Sequence, residues 1–139
     1  MRVTQAPEED FVDAVSAATA KLLSERGVPV SIGAHGQQQG IAAHWEMWSF
    51  VRGGWSPLEA LRAGTATPAR ALGFRDIGTL EAGKLADLVI LDANPLENIR
   101  NTEKVSKVML NGRLYDAATM NEEVTGTRRR APYFWEDAR

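Results

Sequence analysis

The 139 residues contain no cysteine and only two histidines, His35 and His44. Without cysteine the chain forms no disulfide and no thiolate metal site, and its redox compartment cannot be read. Two imidazoles from separate segments do not make a metal centre without further ligands. Positive charge is not in excess, because the formal net charge is −2. A generic nucleic-acid binder needs a basic surface to displace counterions, so no nucleic-acid partner is expected. No apolar run approaches the ~20 residues that cross a bilayer, so no membrane span is expected. The opening "MRVTQAPEEDF" lacks the apolar core of a signal peptide. Localisation stays open between the cytoplasm and, for a longer secreted product, the periplasm. Internal repeats, a Gly-x-Ser-x-Gly elbow, a phosphate-binding glycine loop and zinc-finger spacing are all missing.

What is present reads as an ordinary globular chain. Apolar residues make up 44% and charged residues 24%, enough for one domain with a core. "APEEDFVDAVSAATAKLLSERG" predicts a helix. Pro7 suits its first turn, Glu8, Glu9 and Asp10 complement the positive dipole end, and Gly27 suits its C-terminus. Phe11, Val15, Ala18 and Leu22 share an apolar face. Residues 28–32, "VPVSI", predict a short strand. "GIAAHWEMWSFVRGG" predicts a second helix with Ile41, Trp45 and Trp48 on one face. In "SPLEALRAGT" the Ser56 and Glu59 spacing is a capping box. "TPARALGF" repeats the device with Thr67 and Pro68, and Gly73 stops it.

From Gly78 the character changes to strand and turn. Gly78 and Gly83 permit a sharp turn around Glu81 and Lys84, with Lys84 and Asp87 close enough to pair. The unbroken apolar run Leu88-Val89-Ile90-Leu91 predicts a strand covered on both faces. Val105, Val108 and Leu110 flank Asn111-Gly112, the dipeptide suited to a two-residue type I′ hairpin. "TGTRRRAPYFWEDAR" predicts an extended tail whose three arginines form a solvated or docking patch.

Three segments in order, "SPLEALRAGTATPARALGF", "IGTLEAGKLADLVILDANPLENI" and "VSKVMLNGRLYD", resemble the C-terminal end of the amidohydrolase superfamily. The likeness spans residues 7–116. More narrowly, "GAHGQQQGIAAHWEMW" is similar to a bacterial subgroup that carries a TolB-like propeller upstream and is related to imidazolonepropionase and prolidase-type members. The resemblance implies an α/β fold: the last helix–strand–helix of a metal-dependent TIM-type barrel plus part of a small β-sandwich. It divides the chain into a barrel portion (residues 1–75), sandwich strands and hairpin (76–118) and an extended tail (119–139). A closed (β/α)8 barrel takes about 250 residues, so this length cannot close one.

The same resemblance implies metal-assisted hydrolysis of C–N bonds in amides, cyclic amides or dipeptides, with a divalent metal, zinc foremost, in the complete enzyme and none expected on this chain alone. At the end of the last barrel strand the family usually holds an aspartate that binds metal and moves a proton. Here Gly33-Ala34 is followed by His35. His35 is therefore the candidate catalytic and metal-binding residue, with a loop-packing role left open beside it. Gln37 is the candidate substrate contact. His44 reads as a helix histidine satisfied by hydrogen bonding, and Glu46 and Asp76 as carboxylates without an evident partner. The expected function is the C-terminal part of such an amidohydrolase, inactive as this piece, whose partners are the missing N-terminal barrel part and a small amide or dipeptide. The alternative is a stand-alone oligomeric interaction module derived from one. Either way, exposed strand edges and the Trp45 and Trp48 face predict a homo-oligomer.

Overall fold

The computed structural model describes residues 11–35 and 38–136. Pro7, Glu8, Glu9 and Asp10, expected to open the first helix, lie outside the described residues, as does Gln37. Four helices lead into a three-stranded sheet. They are α1 (Asp13–Glu25), α2 (Ile41–Arg52), α3 (Pro57–Ala63) and α4 (Ala66–Ala71). The strands are β1 (Leu88–Leu91), β2 (Val105–Leu110) and β3 (Arg113–Asp116), with a 3-10 turn at Ile99–Glu103 between β1 and β2.

Helix α1 stops where Gly27 stood in the sequence reading. Gly27 has φ +84. Its N–H donates to the Ser24 carbonyl at 2.9 Å and the Val28 N–H to the Leu23 carbonyl at 3.1 Å, the paired bonds of a Schellman cap. The expected face of α1 is not the one that packs. Phe11, Val15 and Leu22 are exposed, and Ala17 is buried instead. The reason is Gly53. A Cβ there would lie 2.7 Å from the Ala18 nitrogen and 2.8 Å from the Ala17 carbonyl carbon, so α1 rests on bare backbone at the end of α2. Trp55 locks this approach. Its indole N–H donates to the Ala17 carbonyl at 2.9 Å, and its ring stacks on Phe50 with centroids 4.6 Å apart. Asp13 closes the other end, accepting from Ser49 Oγ and Arg52 Nη1, each at 2.9 Å.

Residues 28–34 form no strand, contrary to expectation. A ladder needs a neighbour that pairs repeatedly. Here the segment bonds to helices at isolated points instead: the Val28 N–H donates to the Leu23 carbonyl and the Ile32 N–H to the Ala63 carbonyl, each at 3.1 Å, and the Gly33 N–H donates to the Glu46 carboxylate at 2.6 Å. The capping box forms as expected: Ser56 N–H donates to Glu59 Oε2 at 2.7 Å and Glu59 N–H to Ser56 Oγ at 3.3 Å. The second cap does not sit at Thr67. Helix α4 begins at Ala66, after Thr65. Pro68 thus falls in the first turn, where a helix has no use for its missing N–H. The core is small: Met47, Ala60 and Ile99 are buried, with Ile32, Trp48, Phe50, Val51 and Leu61 packed around them.

The sheet is antiparallel in the order β1-β2-β3. Leu88 pairs with Met109 and Val89 with Val108, and the register shifts between Ile90 and Leu91. The hairpin turns on Asn111 (φ 48) and Gly112 (φ 75), both left-handed as a type I′ turn requires. Asp87 serves this turn rather than Lys84: its carboxylate accepts the Asn111 N–H at 2.6 Å. Lys84 pairs with Glu81 at 3.4 Å and donates to Thr79 Oγ1. Gly78 is required by proximity as well as by its φ of +86, because a Cβ there would lie 2.6 Å from the Ala69 Cβ and 3.1 Å from the Thr65 carbonyl oxygen. The β1 strand is not covered on both faces. Val89 is 56% exposed, so the layer that its composition calls for is not supplied by the described residues.

Beyond β3 the chain closes around one carboxylate. The Glu122 side chain is 1% exposed. It accepts from Thr125 Oγ1 at 2.6 Å, Thr127 Oγ1 at 3.0 Å, the Arg128 N–H at 3.3 Å and Arg113 Nη1 at 3.2 Å. The tail then folds on itself: Arg130 grips Glu136 with two bonds of 2.9 and 2.8 Å, and Tyr133 stacks on Trp135.

Replacing Gly53 with Ala should destabilise the chain by about 1–3 kcal/mol, the usual cost of overpacking. Urea unfolding followed by tryptophan fluorescence measures it; an unchanged midpoint would show that α1 and α2 do not meet this closely. The hydroxyls of Thr125 and Thr127, Arg113 and the Arg128 N–H hold the Glu122 carboxyl below its ordinary value, against the opposing effect of burial. A lowered folded-state value means that its contribution is complete above the ordinary carboxylate range and disappears as pH falls through that lowered value. The 122–128 turn should therefore stay closed through the ordinary carboxylate range and open only as pH falls below it, through that lowered value. Amide resonances of Thr127 and Arg128 report it, and Glu122→Gln should leave the turn open at neutral pH.

Candidate functional site

The candidate site lies where the extended segment 28–34 meets α2. Glu46 determines the meeting point. Its carboxylate accepts the Gly33 N–H at 2.6 Å, a charge-assisted bond that ties the segment to the second turn of α2. Sequence reasoning left Glu46 without a partner. Thirteen residues and an intervening turn separate it from Gly33, and no periodicity links a helix carboxylate to a loop amide.

His35 follows two residues later, on an exposed turn. Its φ is +44. Left-handed backbone is uncommon for a residue with a side chain, though histidine tolerates it better than most. Such a conformation persists only where the surroundings hold it, and the Glu46–Gly33 bond is the nearest such hold. His44 is half-buried on α2, and its Nδ1 has no hydrogen-bond partner among the described residues; the expectation that it is satisfied is not met there. Asp76 contributes its backbone carbonyl, accepting the Leu85 N–H at 2.9 Å.

Among the described residues, no group of three or more His, Asp or Glu side chains is placed to hold a metal ion. Among the described residues His35 and Glu46 do not by themselves complete a metal centre, because Glu46 accepts a backbone amide and no further imidazole or carboxylate gathers beside His35. Trp48 is also committed. Its indole N–H is shared between the Ile99 carbonyl and Thr102 Oγ1, both at 3.1 Å, and the Arg100 guanidinium lies 4.6 Å over its ring. Trp45 is left as the open aromatic of α2, 48% exposed.

This order of elements, four helices and then a hairpin sheet entered through the glycine turn, agrees with a family-level match. The model of the amidohydrolase family covers residues 5–115. The chain belongs to the amidohydrolase family. Ochratoxinase of Aspergillus niger is 33% identical over 94 residues, 64% of this chain and 20% of that protein. Imidazolonepropionase of Shouchella clausii is 33% identical over 98 residues, 66% of this chain and 22% of that protein. Among solved structures, a Xaa-Pro dipeptidase with methionine in its active site superposes with a TM-score of 0.65 at 32% identity, covering 73% of this chain and 25% of that one. Molinate hydrolase superposes with a TM-score of 0.64 at 28% identity, covering 82% and 29%. The chain thus spans about a fifth of the length of the curated relatives it matches.

Glu46→Ala should free the Gly33 amide without unfolding α2. A charge-assisted bond contributes roughly 1.5–3 kcal/mol, so exchange of that amide should quicken at least roughly tenfold. Hydrogen exchange by NMR measures it, and an unchanged rate would mean that Glu46 does not hold the turn carrying His35.

Proposed function

We propose that the chain is the C-terminal part of a metal-dependent amidohydrolase that hydrolyses C–N bonds of amides, cyclic amides or dipeptides, and that it is inactive as this piece. The observation that carries this reading is the pairing of a family match over residues 5–115 with coverage of only 20–22% of the curated relatives. Residues 1–75 then supply the last barrel portion, 76–118 the sandwich strands and hairpin, and 119–139 the tail. The relatives, an imidazolonepropionase and a Xaa-Pro dipeptidase among them, support a small amide or dipeptide substrate.

On this reading His35 occupies the position that the family usually gives to an aspartate, and Gln37 contacts substrate. In the complete enzyme a divalent metal, zinc foremost, would polarise the scissile bond, with its other ligands on the N-terminal barrel part. The exposed β1 strand and the exposed face of α1 support a missing covering layer. They equally suit the second reading, a stand-alone module that covers them by forming a homo-oligomer with Trp45 at the interface.

Complementation separates the two. The purified chain supplied with zinc should show no turnover of dipeptides or cyclic amides. Adding the N-terminal barrel part as a separate chain should restore it, and His35→Ala should lower the restored kcat at least tenfold. Metal-dependent turnover by the chain alone would overturn the proposal. A compact homodimer that ignores the added barrel part would favour the second reading.

A further inference from the structure

A second concavity lies away from His35, between α3, α4 and the turn that follows Gly78. Its volume is about 650 Å³, within the range of small-molecule pockets. Its lining is unlike the rest of the chain. Arg62, Arg70, Arg75 and Lys84 face it, with Glu81 as the one acidic residue of the lining. That is a net charge of +3 on one basin of a chain whose total is −2.

The cations are not equally committed. Lys84 is paired with Glu81 at 3.4 Å. Arg62 lies within the field of Glu59, whose carboxyl it helps to hold low. The guanidiniums of Arg70 and Arg75 make no hydrogen bond or ion pair among the described residues. Each guanidinium carries five donors in a planar fork and stays charged at any ordinary pH. Gathering such groups around one hollow without an anion is self-repulsive. Phe74 and Ile77 complete the wall; their apolar surface reduces local screening and strengthens whatever electrostatic contact forms there.

We propose that this basin binds a small multivalent oxyanion, with two or more charges on phosphate or carboxylate oxygens, held by the forks of Arg70 and Arg75. Lys84 and Arg62 add point charge at the rim, and the Phe74 wall accommodates a flat or apolar body attached to the anionic group. The basin shares no residue with the His35 site, so the proposal stands independently of the amidohydrolase reading.

Isothermal titration of the full chain with pyrophosphate and, separately, with propane-1,2,3-tricarboxylate tests it. A saturable one-to-one isotherm with at least one of them is expected, and the tighter of the two identifies phosphate or carboxylate as the source. Arg70→Gln and Arg75→Gln should each weaken binding about tenfold, as the loss of a charge-assisted contact does. Both side chains are exposed, so thermal melts of these variants should match the parent. Arg129→Gln, in the tail and outside the basin, should leave affinity unchanged. No saturable heat with either anion would overturn the proposal. So would equal weakening by Arg129→Gln, which would reduce the effect to net charge.

Discussion

Two indole N–H groups hold this chain together, and each is satisfied by the backbone of a different element. Trp48 donates to the Ile99 carbonyl and shares its proton with Thr102; Trp55 donates to the Ala17 carbonyl. A tryptophan buried without an acceptor forfeits the benefit of its large apolar surface. The positions of those two carbonyls therefore dictate where α2 can lie. Trp55 draws α1 down onto Gly53. Trp48 draws in the 3-10 turn, and with it the crossing between β1 and β2. Helix α2 thus joins the helical half to the sheet half, and both join it through polar bonds embedded in apolar contact.

That arrangement explains which parts were legible in the sequence. Local chemistry was mostly readable where partners were close along the chain, the Thr67 cap and the Lys84–Asp87 pair being the exceptions. The Ser56 and Glu59 box, the Gly27 cap and the Asn111-Gly112 turn are each decided within a few residues, and each formed. The order of the last helices and the hairpin followed from the same signals, and the family likeness rests on them. Legibility failed where a distant partner decided the outcome. The apolar stripe of α1 is genuine as a pattern, but Gly53 and Trp55 select Ala17 instead. Residues 28–32 have the composition of a strand, but composition supplies no neighbour. Asp87 lies three residues from Lys84, but the Asn111 amide, 24 residues away in sequence, took its carboxylate.

The candidate site shows the same division. His35 was legible as a candidate, through the family resemblance that singles out the position after Gly33-Ala34. The carboxylate that positions its turn was not, since Glu46 reaches Gly33 only after α2 has folded back. The Glu122 cluster was missed too: Glu122 gathers two hydroxyls and an amide from residues 125–128 and a guanidinium from Arg113 of β3, and no regular helix or strand spacing announces that convergence.

The exposed apolar surface is the remaining physical fact to place. Val89 and Ile90 on β1, Val15 and Leu22 on α1 and Phe11 just ahead of it are exposed, while the buried apolar residues among those described are four alanines, Met47, Trp55 and Ile99. Scattered exposed apolar residues are ordinary on a protein surface. These are not scattered, because they lie along the faces that their own periodicity marked as buried. A strand with four successive aliphatic residues is suited to a sheet packed on both sides, and here Val89 on one side and Ile90 on the other are both exposed. Covering a leucine-sized side chain is worth roughly 1.5–3 kcal/mol. Several such residues together make cover by another protein surface favourable before any specific polar contact is counted. The pattern in the sequence therefore describes a larger packed structure than these residues build by themselves. Among the described residues the mismatch between predicted and observed burial is plainest on α1 and β1, the first elements of the helical and sheet halves.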